Sequence, residues 1–167
     1  MKGILFMLGV IGIMMMSTND QRDVAQLRLV TAQFQRLEAV QAAGYSLASS
    51  QCLNNSGFGG LGYRYINTSL IDANVDIQQP EVIIYVPGPN GGLQLGAVEY
   101  IVPVATWNAT HTGWPQMMGH QFHLNPGLGA YVLHIWVWEK NPSGMFEDWN
   151  PKVSCSWNVF QNNGVPG

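Results

Sequence analysis

The sequence predicts an α+β domain, with one long N-terminal helix packed on a curved, mainly antiparallel sheet. Between residues 20 and 44 apolar side chains recur every three or four positions, the period of a helix with one buried face. From residue 62 onward the pattern changes to short β-branched and aromatic runs separated by Gly, Pro and Asn, which is strand punctuation. The strongest of these runs are apolar on both faces, so each side of the sheet needs a cover.

The elements follow in order. Met1-Lys2, an apolar run from Gly3 to Met16 and the polar exit Ser17-Thr18-Asn19-Asp20 form the pattern of a secretory signal. The run is short of the roughly 20 apolar residues of a spanning helix. Residues 1–18 therefore read as a signal peptide or an uncleaved N-terminal anchor, 19–157 as a single domain and 158–167 as a flexible tail. In the helix, Leu27, Val30, Phe34, Leu37 and Val40 make the stripe, Asn19 or Asp20 caps the start and Gly44 stops it. Residues 45–62 read as loop. Strands are expected over 62–67, 82–86, 93–104, 120–125 and 130–138. The turn Pro87-Gly88-Pro89-Asn90-Gly91-Gly92 joins the second and third into a hairpin. Residues 105–119, with Trp107 and Trp114, form an excursion, and 145–149 one helical turn.

Composition excludes several classes. The chain has 167 residues, 47% hydrophobic and only 10% charged, with 19 Gly and a net charge of −3. It lacks the charge of a disordered tail or coiled coil and the basic surface of a nucleic-acid binder. Cys52 and Cys155 are an even pair in an exported chain and read as one disulfide, the alternative being two buried thiols. Closing a loop of about 100 residues is worth about 4–5 kcal/mol in the chain-entropy account. The expected location is secreted, periplasmic or otherwise extracellular, with no nucleic-acid partner and no membrane contact beyond the N-terminal anchor. Asn54, Asn67 and Asn108 head glycosylation sequons.

Glu99 is the lone polar residue in Ala97–Val102, and His134 the lone polar residue in Tyr131–Trp138. Such groups need partners when buried. Strand parity sets Glu99 with Ala97 and Ile101, and His134 with Val132, Trp136 and Trp138. If 120–125 is a strand, His120 and His123 face opposite ways and one of them joins the site. One Glu with two His is a ligand set for zinc or another divalent transition metal, or an acid/base group. The opposing account is a satisfied core network. Arg64, alone between Tyr63 and Tyr65, serves that account, because a buried Arg64–Glu99 pair needs no metal and repels a cation. No Gly-x-Ser-x-Gly elbow or phosphate-cradling loop is present, and Glu147-Asp148 reads as a solvated turn.

The blocks Gly60–Asn67, Pro80–Tyr85, Leu95–Pro103 and Leu133–Trp138, with Asn141-Pro142-Ser143-Gly144-Met145-Phe146, Asp148-Trp149-Asn150-Pro151 and Val153-Ser154-Cys155, resemble a group of uncharacterised exported proteins of bacteria and fungi. The resemblance covers roughly residues 24–155 and brings no activity with it. It implies that Glu99, His123, His134, both Cys and Asp148-Trp149-Asn150 recur, whereas His120 does not. It thereby makes Glu99, His123 and His134 the candidate metal ligands. Where the group has a Gly-Tyr-His-Tyr-type strand, this chain has Arg64, so one His is replaced by a cation. The readings are then a metal-binding domain, a binding module that meets a protein or glycan through 105–119, and a structural subunit of a homo-oligomer.

Overall fold

The structure is a computed structural model, and it describes residues 17–156. The apolar run up to Met16 and the tail 158–167 lie outside the described residues. Among the described residues no helix is long and apolar enough to cross a membrane.

The long helix is a first correction. It is divided into α1 (Thr18–Thr31), a 3-10 turn (Ala32–Gln35) and α2 (Leu37–Ala42), with Arg36 extended at φ −107° and ψ 125°. The sheet causes the division. The Phe34 carbonyl, which a continuous helix would offer to residue 38, accepts the Tyr85 hydroxyl instead. The start also differs from expectation. Ser17 is the N-cap and bonds the Asp20 N–H, while the Asp20 carboxylate bonds the Ser17 N–H. Gly44, at φ +88°, ends α2 in a backbone region open to glycine.

The strands are β1 (Ser46–Leu47), β2 (Leu53–Asn55), β3 (Gly59–Ile66), β4 (Val82–Pro87), β5 (Leu93–Pro103), β6 (Gln116–Met117), β7 (His120–Gln121), β8 (His123–Asn125) and β9 (Ala130–Ile135). The main sheet has the order β1-β3-β4-β5-β9-β8, with β2 also on β3, and it does not close. All its pairings are antiparallel. The expected hairpin is β4–β5, closed by the Gly88 N–H on the Gly92 carbonyl.

Five expected segments change, the first being 45–62, read as loop, which contains β1, β2 and the start of β3. The strand 120–125 breaks at Phe122, whose ring is buried in the core and whose N–H leaves the ladder for the Pro115 carbonyl. The strand 130–138 ends at Ile135, because the Trp136 N–H turns to the Met145 carbonyl. Residues 145–149 form turns and no helix, while the excursion 105–119 holds most of a short helix, α3 (Val104–Thr110), and β6.

Both sheet faces are covered. On one, Tyr63, Tyr65, Ile83, Tyr85, Val98 and Tyr100 meet Val24, Leu27, Phe34 and Val40 of the helical layer. On the other, Val82, Ile84, Ala97, Ile101 and Val132 lie under Trp136, Trp149 and Val153 of the C-terminal segment. That segment is tied down twice. Asn150 bridges to Gly60, and the predicted disulfide joins Cys52 to Cys155 across 103 positions.

Candidate functional site

The second face carries the polar residues that the sequence singles out. Glu99 on β5 stands directly opposite His134 on β9, and His123 on β8 stands opposite Val132, so alternation puts all three on one side. Arg64 on β3 shares that side and reaches diagonally over β4. Its Nε donates to Glu99 Oε2 at 2.7 Å and one Nη to Oε1 at 3.0 Å, a bidentate pair. Glu99 is 2% exposed.

The chain of charges continues outward. His134 Nε2 lies 3.6 Å from Glu99 Oε2, too far for a hydrogen bond, and this buried nitrogen has no other partner. His134 Nδ1 bonds Asp148 Oδ1 at 2.9 Å. The second oxygen of Asp148 lies 3.3 Å from His123 Nε2. Asp148 and His123 are the solvent end, with His123 44% exposed.

These neighbours set the protonation states. Burial opposes charge on His134, but Glu99 and Asp148 outweigh it and hold the imidazole up at about 9. Burial likewise works against the Glu99 carboxylate, yet His134 and Arg64 keep it below the usual range. Asp148 is held well below its ordinary value, its partial burial overcome by His123 and His134. At neutral pH the sequence of charges from Arg64 to Asp148 is plus, minus, plus, minus. His134 then carries protons on both nitrogens, one donated to Asp148 and one facing Glu99.

A metal requires a different arrangement. Both oxygens of Glu99 are engaged by Arg64, and Asp148 lies between the two imidazoles, whose ring centres are 6.4 Å apart. Among the described residues no group of three His, Cys, Asp or Glu side chains is placed to hold a metal ion. His120 lies elsewhere, stacked on Phe146 at 3.6 Å.

Two carboxylates have roles that residue-by-residue reading did not give them. Asp148 does sit in a turn, but its side chain faces inward and joins the two histidines. Its only signal in the sequence was the resemblance. Glu81 is buried at the foot of β4, where Oε2 accepts the Ile101 N–H at 3.0 Å. Burial, opposed by that hydrogen bond and reinforced by Asp72 and Glu99, pushes its carboxyl up to about 8. A lone acid abutting the apolar run Val82–Val86 was the available clue.

The tryptophans of the excursion divide. Trp107 is held by its Nε1 bond to the Gly113 carbonyl and stacks on His111. Trp114 is 44% exposed, 5.2 Å from the Tyr131 ring. Of the sequon asparagines, Asn67 is buried and spends its amide on the Ala43 carbonyl, while Asn54 and Asn108 are exposed. No family model, curated protein or solved structure matches the chain.

Proposed function

We propose that the chain is a non-enzymatic binding or structural domain that works outside the cytosol, and that its Arg64–Glu99–His134–Asp148 chain locks the C-terminal segment onto the sheet. The observation that carries this reading is the closure of the charge chain: each buried charge meets an opposite one, and Glu99 has no open oxygen. The Cys52–Cys155 bond supports an oxidising compartment. A contact surface for a protein, a glycan or a second copy is offered by Trp114, Leu124 and Leu128. All three are exposed, and Leu124 pairs with Tyr131, on which Trp114 packs.

A second reading keeps Glu99, His123 and His134 as ligands of a divalent metal such as zinc. Its support is the buried His134 Nε2 with no hydrogen-bond partner. Metal entry then requires Arg64 to leave Glu99 and His134 to release a proton. Elemental analysis separates the readings, on protein purified without chelator or metal-affinity resin, beside a Glu99→Gln/His134→Ala variant. The first expects no stoichiometric metal in either protein. Near-stoichiometric metal in the native chain, lost in the variant, establishes the second and overturns the first.

A further inference from the structure

Beyond the end of β9, away from the charge chain, a cavity of about 390 Å³ opens between α1 and the segment that leaves the sheet. Its size lies near the lower end of the roughly 300–1,000 Å³ of small-molecule sites. We propose that it binds a small aromatic carboxylate.

The lining argues for that chemistry. Arg28 enters from α1, and its Nε donates to the Val137 carbonyl at 2.9 Å. That bond anchors the guanidinium and leaves the Nη groups as donors. Lys140 brings a second cation to the lining. Among the described residues neither Arg28 nor Lys140 enters an ion pair. Glu139, the acid in the lining, accepts from Gln94 at 3.3 Å. The cavity therefore holds an excess of positive charge on a chain whose net charge is −3. An anion is the complementary ligand, and a carboxylate matches the planar Arg fork.

The remaining walls select the body of the ligand. Trp138 is fixed by its Nε1 bond to Thr31 Oγ1 at 3.0 Å, and Met145 also lines the cavity. An indole and a thioether favour an aromatic ring. A sugar needs several free polar partners, and the side chain best suited to supply them is occupied. Asn141 donates to the Trp149 carbonyl and accepts from the Ser143 N–H. This inference goes beyond the proposed function, because it assigns a ligand to a place that the charge chain does not touch. Its failure leaves the metal analysis and the lock unaffected.

The test is a titration of the full chain with phenylacetate, read by tryptophan fluorescence and by the Met145 methyl resonance. Benzyl alcohol supplies the ring without the charge, acetate the charge without the ring, and glucuronate a carboxylate on a sugar. The expected result is saturable binding of phenylacetate, with each comparator at least about tenfold weaker. Lys140→Met, at an exposed position whose side chain has no partner among the described residues, is expected to weaken phenylacetate binding about tenfold. Arg28→Met is expected to weaken it further. Should Arg28→Met fail to fold, Lys140→Met decides alone. No saturable response, comparators that bind equally, or an unchanged affinity in Lys140→Met overturns the proposal.

Discussion

The two faces of the sheet bury their polar atoms by different means. On the helical side three buried phenol hydroxyls each find one backbone carbonyl. Tyr85 donates to Phe34, Tyr100 to Ile77 and, beside them, Tyr45 to Pro80. On the side under the C-terminal segment the buried Glu99 and His134 are charged, and neither is satisfied by one neighbour. Glu99 depends on Arg64 and His134, and His134 depends on Glu99 and Asp148. The difference teaches how each face fails. A neutral hydroxyl lost from the first removes one local bond. A charge lost from the second strands its partner in a low-dielectric interior.

The sharpest way to break the comparison is Arg64→Ala. It leaves Glu99 buried beside His134 alone and is expected to cost about 3–5 kcal/mol in denaturant unfolding. Arg64→Met with Glu99→Leu removes both charges and is expected to cost far less, within about 1–2 kcal/mol of the native chain. If the double replacement is as damaging as the single one, the face is held by side-chain shape and not by charge pairing.

The next effect is pH dependence. His134 is raised from the ordinary imidazole value to about 9, so its contribution is complete below pH ~6.5 and is lost as pH climbs through 9. Glu81, raised to about 8, acts in the same direction, since the folded state must expel or bury its charge as pH rises from the ordinary carboxyl range. Glu99 and Asp148 are lowered and stabilise at and above that range, with loss on acidification. Stability is therefore expected to peak near the ordinary carboxyl range, about pH 4.5, to decline above it through Glu81, and to fall more steeply from about pH 6.5 towards pH 9 as His134 adds its loss. His134→Gln should flatten the alkaline limb; an unchanged slope would remove His134 from the account.

The smallest effect belongs to the other face. Tyr85→Phe removes a hydroxyl and no ring, leaves the Phe34 carbonyl to the helical layer, and is expected to cost about 1 kcal/mol by thermal or chemical unfolding. A loss as large as that of Arg64→Ala would erase the distinction between the faces.

How much of this was legible follows from where the information lies. Alternation along a strand is local, so the sequence by itself determined which neighbours share a face with Glu99 and which with His134, that β4 and β5 form a hairpin across Pro87–Gly92, and that Cys52 and Cys155 are an even pair; the β5–β9 register then set Glu99 and His134 on one face. Arg64 as the partner of Glu99 was one of the alternatives that single residues raised. The tertiary structure alone decided the rest. The helical stripe around Leu27, Phe34 and Val40 runs on in sequence, yet the helix breaks because a hydroxyl 51 positions away takes the Phe34 carbonyl. The 120–125 strand divides at Phe122 because its side chain goes into the core and its N–H to Pro115. Asp148 in a polar turn looks solvated until the C-terminal segment folds back and sets its carboxylate between two imidazoles. A side chain's face follows from its own strand. Its partner depends on which distant segments the register and the core bring beside it, and neither is written within a few residues of the group that needs the partner.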